Sequence, residues 1–269
     1  MTSWRDSLGF SSIAWDPKFE GEIADILTAH QVKYVDITPT KYMRLGSPDA
    51  RAQSEALRHF WESRGFRIRA MQSLLFQLPG KSIFNRSDWQ DLFSAFRDLQ
   101  DTAEWLGATK LVFGSPGNRR LGDMNIEDGH AMAKEFFGAV SDILGDGDTQ
   151  LLIEGNPVHY NCDFLTSTLE SIDFVRDLDK PNIRVQLDLG TCFYTGEKPL
   201  HFPEVYWDWI GYIHLSVEDL VPLYSAPNET IIEFIRNYDG TIPVAIEQKT
   251  EVGVPNESVR RTLKWVESI

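Results

Sequence analysis

Short, nearly continuous apolar runs alternate along the whole chain with longer segments whose apolar residues recur at helical spacing. The runs lie at 8–14, 32–37, 66–74, 110–114, 150–154, 184–188, 212–215 and 242–247. Most are rich in Val, Ile, Leu or Phe without strict alternation, the pattern of strands buried on both faces. The intervening segments carry helix start signals. Asp16 is placed to cap a helix with Pro17 at its first position, and Ser47 with Pro48 repeats the signal. Ser87-Asp88-Trp89-Gln90 matches a capping box, followed by Trp89, Leu92, Phe93, Phe96 and Leu99 on one helical face, with Gly107 as the exit. Further helices are predicted at 126–144, 164–178 and 258–266.

Eight strand–helix units without a linker or low-complexity tract predict an α/β chain folded as a single (β/α)8 TIM barrel domain over residues 1–269. The competing architecture, an open doubly wound sheet, calls for Gly-x-Gly-x-x-Gly after the first strand. The segment Leu8-Gly9-Phe10-Ser11-Ser12 holds one glycine.

Composition narrows the function classes. Apolar residues make up 42% and charged residues 25%, an ordinary globular mix that excludes disordered, collagen-like and coiled-coil chains. The net charge of −14 leaves no basic footprint for nucleic acid or anionic lipid, and it disfavours a polyanionic substrate unless local cations offset it. Cys162 and Cys192 lack metal or disulfide-scaffold spacing and fit a reducing compartment. The start Met-Thr-Ser-Trp-Arg-Asp-Ser lacks a signal-peptide pattern, and no stretch of about 18 apolar residues offers a membrane span. The expectation is a cytoplasmic protein that binds neither nucleic acid nor membrane.

Barrel enzymes carry their chemistry where strands end, so the polar residue closing each apolar run is informative. The last four runs close on Glu154, Asp188, His214 and Glu247 in turn. A lone strand-end acid reads equally well as a helix cap or an ion-pair partner. Three carboxylates and an imidazole converging on one mouth, however, would repel one another and suffer desolvation. One divalent cation removes both costs. Hard oxygen ligands with one nitrogen suit Mn²⁺ best, with Mg²⁺, Co²⁺ or Zn²⁺ as alternatives.

This Glu–Asp–His–Glu order resembles the xylose isomerase-like barrel superfamily, which includes sugar phosphate isomerases/epimerases and endonuclease IV. Its gaps of 34, 26 and 33 residues resemble those of the ketohexose 3-epimerases. The segments Lys110-Leu-Val-Phe-Gly-Ser-Pro-Gly-Asn-Arg119, Ile153-Glu-Gly-Asn-Pro157, Leu187-Asp-Leu-Gly190, Tyr212-Ile-His-Leu-Ser216 and Ala245-Ile-Glu247 carry the likeness. The resemblance implies that Glu154, Asp188, His214 and Glu247 bind the metal. It also implies that Glu154 and Glu247 are catalytic, on opposite sides of a substrate carbon. The metal would chelate a carbonyl and a neighbouring hydroxyl and stabilise an enediolate. One glutamate would take the proton and the other would return it, giving epimerisation or aldose–ketose isomerisation. By the same analogy the substrate is a small carbohydrate-like molecule and the protein is a homo-oligomer.

Three positions depart from the family pattern. Thr191 stands where Asp-x-x-His is common, Leu220 where the 3-epimerases carry arginine, and Tyr160 where they carry a substrate-binding glutamate. The metal core is intact and the substrate-reading shell differs, so the expected substrate is not a free ketohexose.

Further substrate-binding candidates are Trp15, Gln72, Arg119, Asn156, His159 and Lys249. Arg119 and Arg120 follow the fourth-strand turn and could clamp a phosphate or carboxylate, or lie solvated in a loop. Asn156 and His159 follow Glu154 and could meet substrate oxygens or cap backbone. Gln72 falls late in the third strand, and Lys249 lies two residues beyond Glu247. Trp15, Tyr42 and Phe76 could wall the mouth or simply pack. His30, His59, His130 and His201 read as surface or packing residues, and Asp36 as a structural acid. A metal-dependent isomerase or epimerase of a sugar, sugar acid, sugar phosphate or cyclitol leads. A lyase or dehydratase would need the same base and metal. An endonuclease IV-like hydrolase would need extra histidines that are absent. A non-catalytic barrel should have lost a ligand.

Overall fold

The computed structural model describes residues 4–250 and 253–269, so Met1–Ser3 of the leader reading lie outside the described residues. Eight parallel strands among them close into a barrel in sequence order. They are β1 (Gly9–Ser11), β2 (Tyr34–Ile37), β3 (Arg67–Met71), β4 (Lys110–Phe113), β5 (Gln150–Glu154), β6 (Ile183–Asp188), β7 (Ile210–Leu215) and β8 (Val244–Ile246). Closure comes from β1 pairing with β8, where Phe10 registers with Ile246. In the half that carries the strand-end acids, Glu154 registers with Gln186 and Asp188 with His214.

The outer ring consists of α1 (Glu20–Ala29), α2 (Ala50–Glu62), α3 (Trp89–Leu106), α4 (Ile126–Leu144), α5 (Thr168–Leu178), α6 (Leu189–Thr195), α7 (Glu204–Trp207), α8 (Glu229–Asn237) and α9 (Pro255–Glu267). Asp16 caps a short 3-10 turn that leads into α1, with Pro17 first in that turn as the sequence suggests. Gly107 ends α3 in the left-handed region (φ 73°), a conformation that costs a residue with a Cβ about 1 kcal/mol or more.

Two start signals act elsewhere than expected. α2 begins at Ala50, beyond Ser47 and Pro48. Ser87 does not cap α3. Asn85 takes the Ser87 N–H into a 3-10 turn, and Asp88, spent on the Ser82 N–H, precedes the helix. Competition between neighbouring Asn, Ser and Asp side chains for the same orphan donors explains the shift. The expected first strand also stops early. Ser11 caps a 3-10 turn over Ser12–Ala14, which turns Trp15 away from the mouth.

The main core lies between strands and helices. Its α3–α4 part is a lattice of rings in which Phe96, Phe113, Phe136 and Phe137 are fully buried and meet edge-on or tilted. Burying each such ring stabilises the fold by about 1.5–3 kcal/mol. Inside the barrel a smaller plug of Ala70, Val112, Leu152, Tyr212 and Ala245 fills the space beneath the mouth. Side chains on a strand alternate in direction, so the residues two further along β5, β7 and beyond β8 stand above that plug. They are Glu154, His214 and Glu247. No helix among the described residues is long and apolar enough to cross a membrane.

Candidate metal centre at the barrel mouth

Glu154, Asp188, His214 and Glu247 each present one ligand atom, and these atoms lie within 4.8 Å of one another. Asp188, His214 and Glu247 are buried, and Glu154 is partly open to a cleft of about 300 Å³ above them. That is the small end of the range for ligand pockets.

Each ligand is held by a neighbour. Asn156 Nδ2 donates to Glu154 Oε2 at 3.1 Å, and the Arg119 guanidinium donates to the Glu154 backbone carbonyl at 2.6 Å. The Thr191 N–H and Ser216 hydroxyl donate to the two oxygens of Asp188 at 2.7 and 2.6 Å. Gln72 Nε2 donates to Glu247 Oε1 at 2.6 Å, and Ser11 Oγ donates to Gln72 Oε1 at 2.7 Å. His214 Nδ1 is 3.2 Å from Glu247 Oε2, and its Nε2 is 3.4 Å from Asp36 Oδ2. A Cβ at Gly114, at the end of β4, would stand 2.4 Å from Glu154 Oε2. The glycine therefore leaves room for that carboxylate.

The electrostatics are those of ligands crowded together. Burial pushes the Glu154 carboxyl up to about 8, and the charges of Asp188 and Glu247 add to the effect. Burial and the Glu247 charge also raise Asp188, against the Ser216 hydroxyl. Burial would raise Glu247, but His214 and the Gln72 amide hold it below its ordinary value. Burial would lower His214, yet Glu247 and Asp36 carry it well above. Three oxygen donors and one nitrogen donor around a single point, with carboxylates that resist sharing charge, fit a divalent cation.

The structure places Gln72, Asn156 and Lys249 on the cleft lining. It places Trp15, Arg119 and His159 elsewhere. Trp15 is buried between Phe10 and Trp61, ring centroids 6.1 and 6.2 Å away, because the chain turned at Ser12. Arg119 is fully buried beneath Glu154, since its short 3-10 turn folds it inward, so it clamps no ligand in the cleft; Arg120 is exposed. His159 stacks on Tyr194 at 4.4 Å and sits 3.2 Å from Asp219 on the outer rim. Tyr42 bonds Glu20 at 2.8 Å, and Phe76 is exposed at 76%. His130 packs on Phe164 and Phe174, and His30 pairs with Glu267.

The three departures all line the cleft: Thr191, Leu220 and Tyr160, joined by Asp219. Asp219 and Leu220 both take left-handed backbone (φ 55° and 56°), a strain that turns this rim over the opening. Sequence reading missed Ser11, Gly114, Tyr212, Ser216 and Asp219. Period-two spacing from His214 could have flagged Tyr212 and Ser216, which share its inward face.

Solved structures with this architecture include a 3-keto-D-glucoside 4-epimerase from E. coli, with 11% identity, TM-score 0.78, and coverage of 98% of this chain and 99% of that one. A D-psicose 3-epimerase shares 13% identity at TM-score 0.73, covering 98% and 99%. The probable 3-DHS dehydratase AsbF from Bacillus anthracis shares 13% at TM-score 0.72, covering 97% and 98%. At these identities the likeness is one of fold. No curated protein matches the sequence. The xylose isomerase-like TIM barrel family matches residues 22–269, and the chain belongs to that family.

Proposed function

We propose that the protein is a divalent-metal-dependent isomerase or epimerase of a small keto- or aldehyde-bearing carbohydrate, working as one barrel domain in a reducing cytoplasm. The observation that carries the reading is the convergence of Glu154, Asp188, His214 and Glu247 within 4.8 Å at the floor of an open cleft. Two solved structures of similar fold, a 3-keto-D-glucoside 4-epimerase and a D-psicose 3-epimerase, support the substrate class. The two free, buried cysteines agree with a reducing compartment.

Those four residues would hold the ion, with Mn²⁺ favoured by the donor set. When bound, it supplies Lewis acidity to a substrate carbonyl and the hydroxyl beside it. The protein's own groups do the rest. Glu154, steered by Asn156, ends β5, and Glu247, steered by Gln72, directly follows β8 across the mouth. One carboxylate would take the proton from the hydroxyl-bearing carbon next to the carbonyl, leaving an enediolate. The other returns a proton to the opposite face or to the adjacent carbon. Such acid–base work is worth about 10²–10⁴-fold. Asn156, Lys249 and Asp219 on the lining are placed to bond hydroxyls, and the Leu220 side of the rim narrows access for water.

The test is solvent exchange. The Mn²⁺-loaded protein is incubated in D₂O with a panel of ketoses, keto-glycosides, inososes and sugar acids, and loss of the C–H signal is followed by NMR. Exchange on one of them with no loss of water from the product, abolished by Glu247→Gln, is the expected result. Product lacking water would move the assignment to a dehydratase. No exchange on any of them with the metal bound would overturn the reading.

A further inference from the structure

We infer that Asp36 is a positioning residue for His214: it fixes the imidazole with Nε2 toward itself and Nδ1 toward the ligand cluster. The inference rests on the metal-dependent reading above and extends it from the ligands to what aims them.

Asp36 stands on β2, a strand that supplies no ligand and whose neighbours are β1 and β3. Its contact with His214 on β7 therefore crosses the barrel interior. The carboxylate is fully buried, and the Tyr212 hydroxyl donates to its two oxygens at 2.9 and 3.0 Å. Tyr212 precedes His214 by two residues on the same inward face, so the phenol braces Asp36 from directly below the imidazole. The remaining approach to Asp36 Oδ2 is taken by His214 Nε2 at 3.4 Å, while Nδ1 lies 3.2 Å from Glu247 Oε2. The ring is thus suspended between two carboxylates, one in the ligand cluster and one outside it. Both are close polar contacts, and among the described residues neither ring nitrogen has any other polar group to turn to, nor a well-aligned hydrogen bond.

A merely structural acid is a poor explanation. A buried carboxylate costs several kcal/mol unless charge or donors compensate it. The layer Asp36 stands in holds Ala70, Val112, Leu152 and Ala245 with the neutral Gln186, so no cation in that layer offsets the charge. An anion is worth its desolvation here if it faces a group that becomes more positive, and a histidine that ligates a cation is such a group. A ligating histidine must keep its proton on the nitrogen away from the metal, and an acceptor at that nitrogen selects the tautomer. The geometry assigns that part to Asp36, with Tyr212 as its brace.

The experiment uses the full chain with metal alone. Mn²⁺ affinity is measured by calorimetry for the wild type, Asp36→Asn and Tyr212→Phe, with circular dichroism and apo melting as fold controls. Long-range ¹H–¹⁵N correlation spectra of the Zn²⁺-loaded protein read the His214 tautomer. The expected result is Nδ1 ligation with the proton on Nε2 in the wild type. Asp36→Asn should lose about 10–100-fold in Mn²⁺ affinity, and Tyr212→Phe should lose less. Either variant that folds suffices to test the idea. Wild-type affinity in Asp36→Asn, or ligation through Nε2, would overturn it while leaving the metal reading in place. A wild type that binds no metal would overturn that reading, and this inference with it.

Discussion

The guanidinium of Arg119 donates a 2.6 Å hydrogen bond to the backbone carbonyl of Glu154, from a position with no exposed surface. A cation expected to greet substrate instead clamps the strand end that carries a ligand. Arg119→Ala removes the clamp and opens a cavity, so about 2–5 kcal/mol of stability should be lost. Arg119→Met fills the volume without the donor. Its melting temperature should fall less, and its Mn²⁺ affinity should fall about tenfold. Thermal unfolding and calorimetry separate the two, and equal metal affinity in Arg119→Met would refute the clamp.

Gly114→Ala tests the ligand cradle from the other side. The new Cβ would collide with Glu154 Oε2, the far end of a flexible side chain. The carboxylate can swing away at little cost to the fold, so stability should change by less than about 1 kcal/mol. Metal binding should weaken by about tenfold or more, because one donor leaves the cluster. A variant that binds normally would show that Glu154 is not a ligand.

Metal should also report through stability. A ligand that binds only the native state at a hundred times its Kd stabilises by about 2.7 kcal/mol, or about 5–10 °C for a chain of this size. Adding Mn²⁺ to metal-stripped wild type should raise the melting temperature by that amount. The Glu154→Ala/His214→Ala double variant should not respond, and an equal shift in it would locate the ion elsewhere.

The cleft is lined by Glu154, Asp188, Asp219 and Glu247, with Lys249 as its cation. A sugar phosphate would meet more negative than positive charge. Inorganic phosphate at millimolar concentration should neither compete with a neutral substrate nor protect against heat. Competitive inhibition by phosphate would show that a cation from outside this lining reaches the site.

Glu20 offers a pH test remote from the metal. Burial raises its carboxyl above the ordinary 4.5, against the hydrogen bond from Tyr42. An acid raised in the folded state contributes its full stability below the unfolded value and loses it as pH rises through the folded one. The melting-temperature difference, wild type minus Glu20→Gln, should therefore shrink as pH rises above about 4.5. A difference that grows with pH would contradict the burial effect.

The barrel and the four residues that converge at its mouth were legible because both rest on chain-local signals. Buried parallel strands read as apolar runs, and each candidate ligand is the polar residue that closes such a run. The residues around the ligands were harder. Trp15, Arg119 and His159 lie in loops after strands, and sequence position there does not say whether a side chain turns inward, as Arg119 does, or outward, as His159 does. Ser11 and Gln72 act through a contact 61 residues apart in the chain, which no local pattern encodes. Asp36 was visible as an acid ending the second run, but its use depends on Tyr212, 176 residues away.

The four candidate ligands sit on or directly after β5 through β8, while Ser11, Asp36 and Gln72, which contact two of them directly or through one another, sit on or directly after β1 through β3. A growing chain therefore makes its steering groups first and its ligands last. Glu247, the final ligand, follows the strand whose pairing with β1 seals the cylinder. During synthesis no shorter intermediate can present the complete donor set. If the centre holds an ion, loading with metal would be a late event, coupled to closure of the last seam.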